Sequence, residues 1–218
     1  MILPDLHFEA ALWQKNISLI AGLDEAGRGA WCGPVAAAAV ILPPDESLLN
    51  TLKGVRDSKL MSAKQRETWA DVIRRTAVAW RVGMADHEEI DRLGIVPATR
   101  LAMQRAIQGL HPQPRHLLID AVRLPAVPIP QQSMIKGDQR SLSIAAASIL
   151  AKTARDALLV ELADTWPQYG FERHKGYGTR LHQRKLAEYG PCPLHRQSFA
   201  PIKALLHPEQ IPEELPLS

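Results

Sequence analysis

SLIAGLDEAGRGAWCGPVAAAAVIL, residues 18–42, is the stretch on which the fold turns. It holds two short apolar runs, 18–24 and 34–42, each bounded by glycine or proline, and both read as buried strands. Where the first run ends, Asp24 and Glu25 stand side by side, and two glycines bracket Arg28 just beyond. Successive strand side chains point to opposite faces, so these two acids cannot both face one point from a regular strand. The chain is therefore expected to turn at Glu25, and the following Ala-Gly-Arg-Gly permits it.

Outward from this hairpin, Ser62 and Gln65 have the spacing of a capping box opening a helix over 63–76, with Trp69, Val72 and Ile73 on its apolar face. AVAWRVGM (77–84) reads as a third strand. Residues 98–110 follow Pro97 and space Leu101, Met103, Ala106, Ile107 and Leu110 helically. HLLID (116–120) is another short strand that ends on an acid, Asp120. A long helix is expected over 139–166 and a shorter one over 179–189, stopped by Gly190 and Pro191. Strands joined by short turns, then alternating with helices, predict an α/β fold with a mixed β-sheet flanked by helices and a helical C-terminal segment. With no repeat and no linker, residues 1–206 read as one domain. The tail, 207–218, has three prolines and little to bury, and is expected to be mobile.

Bulk composition narrows the function. Of 218 residues, 46% are apolar and 22% charged, which supports a real core. No run approaches the roughly 18 apolar residues of a membrane span. The opening MILPDLHFEAALWQK lacks the basic start and cleavage site of a secretory signal. Cys32 and Cys192 are too few for a disulfide framework and read as reduced thiols of a cytoplasmic protein. Net charge is +3, but residues 171–185 alone hold five Lys/Arg against one Glu. Such a block is either a solvated face or a patch facing phosphates.

Asp24, Asp120 and Asp138 each stand where an apolar element ends or begins. Ligands of open α/β sheets gather beyond strand ends, so Asp24 and Asp120 would meet there if their strands are neighbours. Asp138 would otherwise cap the long helix. Two carboxylates 4 Å apart repel by about 4 kcal/mol at a dielectric near 20, so a cluster takes up protons or binds a cation. All-oxygen ligands suit Mg²⁺ or Mn²⁺ rather than zinc. A pair of such ions beside a basic groove suits phosphodiester hydrolysis.

The first motif, with Asp57-Ser58-Lys59-Leu60 and SAKQRE (62–67), resembles the ribonuclease HII family, the type 2 ribonucleases H. The likeness continues through Ile90-Asp91, Pro97-Ala98-Thr99, Leu118-Ile119-Asp120, Lys136-Gly137-Asp138 and SIAAASILAK (143–152) with Arg155-Asp156. It ends on HKGYGT (174–179) and HRQSF (195–199), covering about residues 18–205 in the family's order. The resemblance implies a ribonuclease H-like fold and an endoribonuclease with Asp24, Glu25, Asp120 and Asp138 as catalytic, metal-holding acids. It implies Mg²⁺ or Mn²⁺ as cofactor. The substrate would be a nucleic acid: an RNA/DNA hybrid, or duplex DNA containing ribonucleotides, cut on the 5′ side of the ribonucleotide to leave 3′-hydroxyl and 5′-phosphate ends. Gly27, Arg28 and Gly29 would read the 2′-hydroxyl through the backbone, the group that distinguishes RNA from DNA. Tyr177 would stack on a sugar, flanked by His174, Lys175 and Arg180, while Lys59 would touch nucleic acid.

Other matched residues keep two readings. Asp57 either touches nucleic acid or holds a turn, and Asp156 either binds metal or pairs with Lys152. Ser143 and Ser148 line the groove or pack on the sheet; Arg196 and Ser198 contact phosphate or anchor the C-terminal segment. Many relatives carry glycine where this chain has Ala121, so a positive φ is not expected there. Gly94 replaces a frequent asparagine, which removes a polar role. The sister ribonuclease HIII carries an extra N-terminal domain, for which 23 residues before Asp24 leave no room. A non-catalytic binder of the same fold would gain nothing from four acids aimed at phosphate. A monomer is expected, with no membrane contact and no clamp-binding peptide.

Overall fold

The computed structural model describes residues 3–210. Strands β1 (Ile20–Ala26), β2 (Val35–Ile41), β3 (Ala79–Ala85), β4 (His116–Asp120) and β5 (Gln131–Met134) form one sheet in the order β3-β2-β1-β4-β5. β2 pairs antiparallel with both β1 and β3, whereas β4 lies parallel to β1 and β5 parallel to β4. The helices are α1 (His7–Trp13), α2 (Leu48–Thr51), α3 (Ala63–Thr76), α4 (His87–Leu93), α5 (Ile95–Gln108), α6 (Leu142–Thr165), α7 (Phe171–His174), α8 (Arg180–Tyr189) and α9 (Ala200–Leu206).

Every residue of β2 is buried, because the sheet is covered on both faces and VAAAAVI has no polar side to offer. One face packs Ala38 and Val40 against α6 and α3 through Ala145, Ile149 and Ile73. The other packs Leu23, Ala37 and Ala39 against α5 through Ala102, Met103 and Ala106. A third cluster joins the far half of α6, at Leu159 and Ala163, to the C-terminal segment through Phe171, Leu186 and Ile202. The capping box at Ser62 and Gln65 is formed, and Gly190 ends α8.

Three expectations are corrected. β1 does not turn at Glu25: it stays paired through Glu25–Ala37 and Ala26–Ala36, and the chain turns at Gly27, with φ +94°. α5 starts before Pro97, which its first turn tolerates because the amide there has no helical partner. Ala121 has φ +51° despite its side chain. In the tail, His207 caps α9 and Pro208–Gln210 form a 3-10 turn; residues 211–218 of the segment expected to be mobile lie outside the described residues. Among the described residues no helix is long and apolar enough to cross a membrane.

Candidate active site

The parallel pairing of β1 and β4 ends at Leu23 and Ile119, so Asp24 and Asp120 follow as neighbours, Asp120 at the carboxyl end of β4 and Asp24 two residues before that of β1. Asp24 is buried, and its Oδ1 accepts from the Glu25 amide at 2.7 Å; Ser148 of α6, whose hydroxyl lies 2.9 Å from that of Ser58, works to lower its pKa. Asp120 Oδ1 accepts from the Gly137 amide at 2.7 Å, which ties β4 to the turn carrying Asp138. Asp138 does not cap the long helix. It lies in a 3-10 turn, Gly137–Gln139, and Ser141 caps α6 instead.

Electrostatics bind the four acids into one unit. Burial raises the Asp24 pKa well above the usual carboxylate range, and Glu25 and Asp120 raise it further. Glu25 is raised by burial and by Asp120, against the Arg28 guanidinium 3.1 Å away. Asp138 is pushed up to about 6 by burial, Asp57 and Asp120. Burial works against the Lys59 ammonium, yet Asp24, Asp57, Asp138 and Asp120 outweigh it and raise its pKa. Among the described residues no three His, Cys, Asp or Glu side chains are already gathered tightly enough to ligate one ion. The donor set still fits a hard divalent cation: all four donors are carboxylates, and the buried Glu25 Oε2 has no hydrogen-bond partner.

A cleft of about 300 Å³ runs from Glu25, the one acid of the four that lines it, to the expected reading residues; Gly27, Arg28, Gly29, Lys59 and Tyr177 line it with Ser58 and Lys152. A Cβ on Gly27 would overlap the Arg155 side chain, whereas one on Gly29 would meet nothing within 4 Å. Gly27 thus shapes the turn and Gly29 leaves its backbone open to a ligand. The Tyr177 ring lies 5.0 Å from Lys152 Nζ and 5.4 Å from the Arg155 guanidinium. A second cleft of about 620 Å³ shares Lys152 and Tyr177 and is lined by Arg66, Arg173 and Lys175, so part of the basic block flanks the site. Arg180 is exposed at the start of α8.

His174 does not line the cleft that holds Glu25; it borders the larger one. It is buried, with Nε2 against the Tyr169 carbonyl at 3.0 Å and Nδ1 accepting from the Gly176 amide at 3.2 Å. Lys175 donates its ammonium to the Glu172 carbonyl. Asp57 holds a turn, accepting from the Lys59 amide at 2.9 Å. Asp156 pairs with Lys152 at 2.7 Å and Arg66 at 3.0 Å. Arg196 is buried on the Gly33 and Arg28 carbonyls, and Ser198 bonds Asp91. Lys152 as a cleft cation was not singled out from sequence, since its pairing with Asp156 masks it.

The family model for ribonuclease HII matches residues 21–202. The chain belongs to the ribonuclease HII family. It is 52% identical to a ribonuclease HII of Myxococcus xanthus over 92% of this chain and 68% of that protein. Against a Chloroflexus aurantiacus ribonuclease HII it is 50% identical over 96% of this chain and 100% of that one. Among solved structures, the ribonuclease HII of an Archaeoglobus fulgidus PCNA complex superposes with TM-score 0.70 at 25% identity, covering 85% of this chain and 96% of that one. A Bst ribonuclease HIII in complex with Mn²⁺ gives TM-score 0.64 at 19% identity, covering 92% and 74%, and shares the fold. As a ribonuclease HII the chain is an endoribonuclease, a divalent-metal-dependent hydrolase with the ribonuclease H-like fold.

Proposed function

We propose that this ribonuclease HII hydrolyses the phosphodiester on the 5′ side of a ribonucleotide, in RNA/DNA hybrids and at single ribonucleotides within duplex DNA. The observation carrying this is the single cleft that places Glu25 and the turn 27–29 on one wall with Lys59 and Tyr177. The bond to be cut adjoins the sugar to be read, so acids and sugar reader must sit together.

Asp24, Glu25, Asp120 and Asp138 would hold Mg²⁺ or Mn²⁺. Two such ions, when bound, supply Lewis-acid charge to the attacking water and the departing oxygen. The chain's own groups do the positioning. Lys59 and Arg28 offer cationic donors to the phosphate, and Gly29 presents backbone to the 2′-hydroxyl. Tyr177, with cations beneath its ring, offers the other face to a sugar. Water adds to phosphorus, the bond to the 3′-oxygen breaks, and that oxygen takes a proton, leaving 3′-hydroxyl and 5′-phosphate ends.

The test is a DNA duplex with one ribonucleotide, incubated with either cation. Wild type is expected to cut on the 5′ side, and Asp24→Asn to lose at least about 100-fold in rate. No wild-type cutting with either cation, or undiminished cutting by Asp24→Asn, overturns the reading.

A further inference from the structure

Two arginines, Arg155 of α6 and Arg196 of the C-terminal segment, are wholly shielded from solvent. Neither joins an ion pair among the described residues. An unpaired buried charge costs several kcal/mol unless fixed dipoles surround it. Here the dipoles are main-chain carbonyls. Arg155 donates to Pro34 at 2.8 Å, to Lys175 at 2.9 Å and to Cys32 at 3.0 Å. Arg196 donates to Gly33 at 2.9 Å and to Arg28 at 3.0 Å.

These carbonyls belong to two segments: 28–34, which continues the Gly-Arg-Gly turn away from the cleft, and 175–177, which carries Tyr177. Arg155 also presses its side chain against Gly27 and lies under the Tyr177 ring. The backbone reinforces the junction, with the Trp31 amide on the Gly176 carbonyl at 2.8 Å and the Arg196 amide on the Trp31 carbonyl at 2.9 Å. A planar guanidinium reaches three carbonyls at once; a lysine ammonium is a compact point donor on a flexible stem.

We propose that Arg155, braced by Arg196, is a positioning residue that locks the sugar-reading turn at 27–29 to the Tyr177 loop, so that the two readers act as one unit. This rests on the function proposed above. Arg155→Lys keeps the charge and loosens the lock. It is expected to raise KM and lower kcat/KM on a duplex with one ribonucleotide by about tenfold, the scale of coupling between contacting residues. A uniform RNA/DNA hybrid, with ribose at every position, is to lose less. Combined with Tyr177→Ala, the double variant should be no worse than the poorer single variant. Equal losses on both substrates at unchanged KM would mean only a smaller folded fraction. That result, or multiplicative losses in the double variant, overturns the proposal.

Native-state hydrogen exchange of the wild type needs neither substrate nor a folded variant. Amides of 30–33 and 176–179 should open with one shared free energy, and clearly different values overturn the lock. If wild type leaves the single ribonucleotide uncut, the proposed function fails while exchange still judges the lock.

Discussion

Asp120 is followed by Ala121 in a left-handed conformation that an L side chain adopts at a cost of about 1–2 kcal/mol. The surroundings enforce it: the Ala121 amide donates to Met134, and Asp120 is held by the Gly137 amide. Ala121→Gly relieves the strain but frees the unfolded chain, so a net gain of about 0.5–1 kcal/mol is expected in chemical denaturation, with cleavage retained. Lost activity, or lower stability, would show that the alanine is not strained. Asp138→Asn acts in the other direction on function. It removes a buried charge set near Asp57 and Asp120, so the metal-free protein should melt higher than wild type in EDTA. Added Mn²⁺ should stabilise wild type more than the variant. A variant that melts lower in EDTA refutes like-charge repulsion as the dominant effect there. The alanine also shows where residue type misleads: its Cβ argues against the conformation that its neighbours impose.

β1 and α6 approach so closely at Gly22 that an added Cβ would lie 2.2 Å from the Ser143 carbonyl carbon. Backbone cannot yield as a side-chain tip can, so Gly22→Ala should cost about 3 kcal/mol, the upper part of the usual overpacking range. Because Gly22 is two residues from Asp24 on the same face, cleavage should also fall in the fraction that remains folded. A neutral substitution would mean that the two elements slide apart freely. Elements of this kind were legible in sequence: β1, β2 and β4 show as apolar runs, α3 by its capping box and α6 by its length, though the Ser141 cap of α6 went unread. β5 was not, because Gln131, Gln132 and Ser133 form a polar edge strand after a proline-rich loop. α1 has seven residues and no side-chain cap, so nothing marks its start. α4 did carry a signal, the capping box of Asp86 and Glu89, which its short length concealed.

Across the whole molecule, the four candidate acids drew notice through the family's ordered motifs, whereas the place of Arg155 among buried carbonyls did not. In sequence a buried arginine looks like any surface cation, and only the fold shows the carbonyls around it. The same holds for the histidines that dock the C-terminal segment. His182 stacks on His174 with ring centroids 4.3 Å apart, and its Nε2 lies 3.0 Å from His195 Nε2. Its Nδ1 faces the Tyr177 carbonyl at 3.1 Å and must donate there, so Nε2 accepts from His195. His195 Nδ1 is then free to accept the Cys192 amide at 2.9 Å. Bonded in this way, His182 is satisfied as a neutral imidazole. Burial, with His174 and His195 nearby, pushes the His182 pKa down to about 3 from an ordinary 6.5. A histidine whose folded pKa is depressed contributes its stability fully above 6.5 and loses it as pH falls toward 3, because the unfolded chain then binds the proton. His182→Gln should therefore be less stable than wild type at pH 7.5, with a margin that narrows as pH falls to 5. The narrowing is bounded by about 1.4 kcal/mol per pH unit below 6.5. Thermal melts of both proteins across that range measure it, and a margin independent of pH would mean that His182 titrates alike in the folded and unfolded chains.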